Sequence, residues 1–296
     1  MISEVTLPPL PPRDLLADLC RVAAARDNVE PQLIEKDFYL TRLLWALSDK
    51  LGNELLLKGG TLLSKVDLGF FRMSEDADLV LPAKPSRQKS LNVRRISRVR
   101  DALKQQAELI GVRSRHPGGA VSEKGAHAIW ELDYPSDFGP QGFQLEISIR
   151  PALRSPRMAT LRQLLRDPLI GDYAQGTCWA LDADEARAEK VRAAFTRTAI
   201  RDYYDLDRLL EKGFDFTSPA FVELVDLKLA EVDAAPLNDQ PPSFDLDREH
   251  RQRLDASHNR DLIPVLRKGA PAFDLDAMLS RFNRLWGPDG PLRRRN

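Results

Sequence analysis

The feature that most constrains the fold of this chain is a pair of short apolar runs separated by two glycines and a polar segment. Residues 55–81 read LLLKGGTLLSKVDLGFFRMSEDADLVL. The runs at residues 54–58 and 76–81 have the length of buried strands, and residues 61–66 are typical of one or two helical turns. This order predicts an α/β core with the glycines at a strand-to-helix turn.

The flanking sequence extends that core in both directions. Helical spacing begins at Asp14 and again after Pro31, where Gly52 is a suitable stop. Further along, the pattern predicts a long helix at 86–110 and two strands at 126–134 and 142–150 joined by a turn at 135–140.

After residue 155 strand signals become rare and helices dominate. The pattern predicts a brief extended segment at 177–181, helices at 184–197, 199–212, 218–234 and 273–285, a loop at 238–244 and a frayed tail. The fold class is therefore α+β: a mixed β-sheet with flanking helices in residues 1–155, followed by a mainly helical domain in 156–296. Residues 1–12, rich in proline, are predicted to be an extended arm.

Composition excludes several classes of protein. The 296 residues carry 44 basic and 44 acidic side chains, so a nucleic-acid partner would need a local patch. The best candidate is the basic run from Arg87 to Lys104. Two cysteines make no disulfide framework, and no run of about 18 apolar residues occurs. The first residues lack a basic region before an apolar core, so no signal peptide is expected. A cytoplasmic protein without a membrane span is expected.

Asp76 and Asp78 are the first candidates for chemistry. Side chains two apart on a strand share a face, and two carboxylates there repel each other unless a cation lies between them. Oxygen ligands suit Mg²⁺, or Mn²⁺. The same pattern also occurs as an ordinary polar strand end, and sugar-nucleotide transferases use it too.

The glycine turn, Gly59-Gly60, makes that pattern more specific. Glycines let the backbone approach a ligand closely, and the N–H groups of a helix start favour an anion. Thr61 offers a hydroxyl to a phosphate, although a plain tight turn with an N-cap has the same sequence. Three further residues flank the turn as candidate phosphate contacts or structural residues: Lys58, Arg72 and Ser74.

Three more residues are candidates from other parts of the chain. Glu146, inside a predicted strand, either completes a three-carboxylate metal cluster or faces solvent. Lys190 and Asp205 lie on predicted helices, where they either form ion pairs or serve a phosphate site, with the lysine neutralising a triphosphate. Asp205 would then orient that lysine or accept a proton from the attacking hydroxyl. Asp202 shares its helix face.

The ordered set of these motifs resembles the AbiEii/AbiGii family of nucleotidyltransferase toxins, a branch of the DNA polymerase β-like superfamily that includes MenT-type toxins. The resemblance covers roughly residues 31–212. The matching segments are Glu-Lys-Asp at 35–37, Lys-Gly-Gly-Thr at 58–61, Arg-x-Ser-x-Asp-x-Asp at 72–78, Glu-Lys-Val-Arg-Ala at 189–193 and Arg-Asp-Tyr-Tyr-Asp-Leu at 201–206. Thr61 replaces the serine of the family pattern and keeps its hydroxyl.

The resemblance implies a function and a set of roles. Thr61 would touch nucleotide phosphates, Asp76 and Asp78 would hold Mg²⁺, Lys190 would bind the triphosphate, and Asp205 would complete the catalytic set. The chain would be the toxin of a toxin–antitoxin pair, transferring a nucleotide from a nucleoside triphosphate to RNA, at the tRNA 3′ end, and so stopping translation and growth. Its partners would include a cognate antitoxin. The alternatives are an inactive nucleotide- or antitoxin-binding module and a manganese-dependent glycosyltransferase.

Overall fold

The chain forms two compact units, Met1–Asp182 and Ala183–Asn296. The computed structural model describes residues 7–166, 176–232 and 246–286. The predicted loop at 238–244 and the tail at 291–296 lie outside the described residues, as does the first half of the predicted arm. Residues 7–12 have no regular structure, and Arg42 holds the Pro8 carbonyl at 2.6 Å.

One mixed sheet organises the described part of the first unit. Its strands are β1 (Leu56–Lys58), β2 (Ala77–Pro82), β3 (Arg113–Ser114), β4 (Ala120–Val121), β5 (His127–Tyr134), β6 (Gln141–Arg150), β7 (Arg157–Thr160) and β8 (Thr177–Ala180). Their order is β3-β5-β6-β2-β1-β8-β7, with β4 paired to β5. β2 runs parallel to β6 and antiparallel to β1, so it is a central strand with neighbours on both sides.

Helices flank this sheet. They are α1 (Arg13–Asp27), α2 (Pro31–Leu51), the short α3 (Gly59–Leu62) and α4 (Lys89–Leu109). α3 continues into a wider π-helical turn, Leu63–Asp67. Proline suits the first position of α2, where no N–H is needed, and α2 ends where Gly52 adopts φ +56°, as the sequence predicts.

Helices make up most of the described part of the second unit. Its helices are α5 (Ala183–Thr196), α6 (Ile200–Glu211), α7 (Pro219–Ala230), α8 (Arg248–Ser257) and α9 (Leu275–Trp286). Packed aromatic rings form its core: the ring centroid of Phe216 lies 5.0 Å from that of Phe282 and 5.7 Å from that of Trp286. Edge-on packing of this kind adds to the free energy of plain area burial.

The sequence placed most elements within a few residues but set the boundary between the units too early. The structure divides the chain at residues 182 and 183, not at 155 and 156, because β7 and β8 still belong to the sheet. Each has only four residues, too few to show a clear alternation. The α8 helix was also not predicted. Its N-cap is Asp247, whose side chain accepts a 2.7 Å bond from the backbone N–H of His250.

Among the described residues, no helix combines the length and the apolar character that crossing a membrane would require.

Candidate active site

Asp78 lies at the centre of a row of charged side chains that crosses three strands. Strand register pairs it with Lys58 on β1 and with Glu146 on β6. The Lys58 ammonium lies 3.8 Å from Asp78 Oδ1, and the Asp78 side chain is about a third exposed. This row therefore places a partly solvent-accessible carboxylate beside the end of β1, where the glycine turn begins.

The glycine turn is pressed against that carboxylate. Gly59 has φ +71°, and a Cβ added to it would lie 2.3 Å from Asp78 Oδ2, far inside van der Waals contact. A Cβ on Gly60 would lie 2.8 Å from Arg72 Nη2. A side chain at either position would have to displace the group it meets, and the turn brings main chain, an acid and a guanidinium close together.

We expect Gly59→Ala to disable this site because the new methyl group must push the Asp78 carboxylate aside. Gly52→Ala is the matched control: Gly52 also has positive φ, but no atom lies within 4 Å of an added Cβ. Both variants carry about 1 kcal/mol of backbone strain from positive φ, and Gly59→Ala adds the clash with Asp78, so urea denaturation should show the larger loss for Gly59→Ala. Only Gly59→Ala should lose the activity of this site under conditions where both variants are folded, and equal activity of the two variants would contradict the arrangement.

Thr61 is placed differently from its predicted role. Its side chain is buried, its hydroxyl donates to the backbone carbonyl of Asp76, and Ser74 Oγ lies 2.7 Å from it. The hydroxyl is thus occupied inside the protein. It ties the start of α3 to the residue that opens β2, which positions the first acid of the pair.

Asp76 stands just before β2, and its Oδ1 accepts a 2.9 Å bond from the backbone N–H of Gln144. Partial burial raises the pKa of the Asp76 carboxyl, while the Gln144 N–H and Lys36 oppose that rise and Asp78 adds to it. A carboxylate held near a like charge with a raised pKa is one that a cation would stabilise in its ionised form. The contact with Gln144 was not predicted, because its donor is a backbone N–H, which nearly every residue has.

The predicted cluster of three carboxylates is not assembled. Glu146 is the register neighbour of Asp78, but its Oε1 lies 3.0 Å from His127 Nε2. Within residues 7–166, 176–232 and 246–286, no three His, Cys, Asp or Glu side chains form a group that could hold a metal ion. His127 pairs with Glu146, so Asp76 and Asp78 remain as the candidate metal ligands.

The Glu-Lys-Asp segment of α2 contacts the helical segment that follows the glycine turn. Asp37 forms a buried ion pair with Lys65, which lies on the π-helical turn after α3 and is fully buried. Burial lowers the pKa of Lys65, and Asp37 opposes that effect. The Lys65 ammonium also lies 4.8 Å from the centre of the Phe70 ring. This pair anchors the segment after the glycine turn to α2, a role the sequence did not indicate.

Lys190 and Asp205 lie in the second unit, in a buried ionic cluster. Lys190 Nζ is 2.8 Å from Asp202 Oδ1 and 2.9 Å from Asp205 Oδ2, and Arg197 Nε is 2.7 Å from Asp202 Oδ2. Asp205 thus forms an ion pair with Lys190, the arrangement that the sequence offered as the alternative to a phosphate site. Burial alone would raise the pKa of Asp202, but Lys190 and Arg197 outweigh it and hold that pKa at about 2.

Comparison with known proteins adds to this geometry. Residues 42–281 match a family described as "Nucleotidyl transferase AbiEii toxin, Type IV TA system". A search of curated proteins found no match.

The search of solved structures found a match of similar fold and weaker ones. MenT4, a nucleotidyltransferase toxin from Mycobacterium tuberculosis H37Rv, superposes with a TM-score of 0.61 at 21% identity, over 97% of this chain and 93% of that one. JHP933 from Helicobacter pylori gives a TM-score of 0.48 at 15% identity, over 90% and 96%. At these identities the likeness to MenT4 supports the fold, which is the α+β arrangement predicted from sequence.

Proposed function

Because the chain belongs to the AbiEii family of nucleotidyl transferase toxins, and is therefore a nucleotidyltransferase, we propose that it transfers a nucleoside monophosphate from a nucleoside triphosphate to an RNA 3′ end. The acceptor end of tRNA is the proposed target, and arrest of translation and growth the consequence. The observation that carries the proposal is the contact of the Gly59 backbone with Asp78. This contact supports the proposal because the turn is of a kind that suits phosphate and the carboxylate is of a kind that suits a divalent cation.

Asp76 and Asp78 would hold that cation. The donor set fits Mg²⁺, and also Mn²⁺, because both residues offer carboxylate oxygens at one end of β2 and Asp78 is partly exposed. When bound, the ion would supply positive charge to the reacting phosphate oxygens. Glu146 is left as an outer contact, since it pairs with His127.

The surrounding residues have separable tasks. We propose that the backbone of Gly59 and Gly60, with Lys58 and Arg72, contacts the nucleotide phosphates. Arg72 is buried, and its Nη1 donates 3.0 Å to the Met73 carbonyl, which fixes the guanidinium against Gly60. Thr61 and Ser74 would position Asp76 through their hydroxyls rather than bind phosphate themselves.

Lys190 and Asp205 are proposed as catalytic residues on the strength of the family motifs they occupy. Their buried ion pair would also be expected of a purely structural cluster. Matched variants of Lys190 and Lys228, compared for both stability and transfer rate, would separate these roles.

The experiment is a transfer assay with the whole protein, Mg²⁺, each of the four labelled nucleoside triphosphates in turn, and total tRNA. We expect label on tRNA with at least one nucleotide and loss of that label when Mg²⁺ is chelated. Oxidising the tRNA 3′ terminus with periodate removes the acceptor hydroxyls and should abolish transfer. Growth arrest on expression, relieved by co-expression of the cognate antitoxin, would support action as a toxin in the cytoplasm.

The same assay tests the alternatives. Nucleotide binding without turnover by the folded protein would favour an inactive nucleotide- or antitoxin-binding module. Thermal stabilisation and turnover with sugar nucleotides and Mn²⁺ would favour a glycosyltransferase. Label on RNA other than tRNA would keep the reaction and overturn the acceptor.

A further inference from the structure

A cavity lies at the opposite end of β1 and β2 from the acid pair. It encloses about 460 Å³ and takes its walls from the residues just before β1, the end of β2, one face of α4 and the segment after β6. Strands rise by about 3.3 Å per residue, so Leu81 in its wall is some 10 Å along β2 from Asp78. The cavity therefore differs in place from the candidate active site.

The walls of this cavity are mostly apolar. They include Leu51, Leu81, Pro82, Val99 and Pro156. Val99 is almost completely buried, so it forms a floor rather than a rim. A cavity of this size with apolar walls removes the apolar body of a small ligand from water, which is the main favourable contribution to binding such a molecule.

The rim of the cavity is positively charged. Three arginines, Arg95, Arg98 and Arg154, line it against one acid in the lining, Glu54, and Arg154 also lies 3.9 Å from Asp182 outside the lining. Arg95 and Arg98 are three apart on α4 and share a face with Val99. Guanidinium groups bind carboxylate, phosphate and sulfonate oxygens through two parallel N–H groups, so this rim favours an anionic group on the ligand.

Contacts within the protein position Arg95 and Arg98 but leave N–H groups that can bind an anion. Arg95 Nη1 donates 2.8 Å to the Lys84 carbonyl, which uses one of the five N–H groups of a guanidinium. Arg98 and Glu54 form two contacts, with Nη1 2.6 Å from Oε2 and Nη2 3.1 Å from Oε1, and both side chains are more than half exposed. Water and salt screen an ion pair that is this exposed, even one with two contacts. A ligand anion can therefore compete with Glu54 for Arg98.

We propose that this cavity is a binding site for a small molecule with an apolar body and a single anionic group. Its occupant is distinct from the nucleoside triphosphate in chemistry, because the cavity lining has one carboxylate and no glycine turn. The inference stands on the cavity alone and does not depend on the proposed transfer reaction.

The test uses two fluorescent probes that differ in charge. Anilinonaphthalene sulfonate has an apolar body and an anion, and N-phenylnaphthylamine has the same body without the anion. We expect the whole protein to bind the sulfonate more tightly. Arg98→Ala should weaken it about tenfold, the effect of one charge-assisted bond, and leave the neutral probe within about twofold.

Three further variants make the result specific. Arg100→Ala is the matched control, since Arg100 is exposed on the same helix and outside the cavity lining. Glu54→Gln should tighten sulfonate binding a few-fold, because it removes the competing acid, without changing the neutral probe. Ala152→Trp should abolish binding of both probes by filling the cavity. Far-UV circular dichroism would check that each variant folds.

Competition then separates possible anions. Octanoate and octyl phosphate should displace the sulfonate probe, and octanol should not; the stronger competitor identifies the preferred group. The proposal is overturned if both probes bind alike, if Arg98→Ala and Arg100→Ala weaken the sulfonate equally, or if Ala152→Trp leaves binding unchanged.

Discussion

Replacing Asp78 by asparagine is expected to lower the rate of nucleotidyl transfer by about 10³-fold while leaving the protein folded. An isosteric amide keeps the contact with Gly59 but loses the negative charge that would hold a divalent cation. A cation at a reacting phosphate supplies several kcal/mol, and each 1.36 kcal/mol is tenfold in rate. Because Asp78 is about a third exposed and faces Lys58 at 3.8 Å, the stability change should be small.

Substitutions of two other acids serve as controls for this prediction. Asp101→Asn is the control, since Asp101 is exposed on α4 and pairs with Arg100. It should keep the activity of the original protein. Glu146→Gln should lower activity far less than Asp78→Asn, because Glu146 is bonded to His127 and stands outside the acid pair. Equal loss in Glu146→Gln and Asp78→Asn would restore the three-carboxylate cluster, and an active Asp78→Asn would refute the proposed metal site.

Lys190→Ala is expected to destabilise the protein by about 3–5 kcal/mol, the usual cost of leaving a buried charge without its partner. Lys190 is 4% exposed, and Asp205 beside it is fully buried. The substitution removes the contacts of Lys190 with both Asp205 and Asp202, and Asp202 keeps Arg197. Urea denaturation would measure the loss. A change below about 1 kcal/mol would contradict the described cluster.

Lys228→Ala is the matched control for function. Lys228 is as buried as Lys190, lies in the same unit, and holds Glu185 at 2.7 Å and Glu189 at 3.2 Å. The two variants should lose similar stability for the same physical reason. If Lys190 is catalytic, its variant should transfer nucleotide at least about 100-fold more slowly than Lys228→Ala under conditions where both are folded. Equal rates would make Lys190 a structural residue.

Several elements of this fold can be predicted because their signals are local. The apolar run of β2, the turn between β5 and β6, and the spacing of α2 with its proline start and glycine stop each depend on neighbouring residues. β7 and the boundary between the units do not. Four-residue strands are recognised through the partners they pair with, and those partners lie elsewhere in the chain.

In the candidate site, too, some features follow from neighbouring residues and others from residues far apart in the chain. The glycine turn and the acid pair could be identified because backbone freedom and same-face carboxylates depend on residue type and short spacing. The role of Thr61 could not, since its hydroxyl is directed by a carbonyl 15 residues away. The pairing of Glu146 with His127 could not be predicted either, because the two residues become neighbours only through the antiparallel pairing of β5 and β6.

The sequence by itself determined that this chain has an α+β core with a glycine turn and paired acids, and its ordered motifs pointed to a nucleotidyltransferase. Only the tertiary structure decided which charges meet: Asp78 with Lys58, Glu146 with His127, Lys190 with Asp202 and Asp205. The physical reason is distance. Turn and strand preferences act over a few residues, whereas ion pairing between separate elements requires the packed fold.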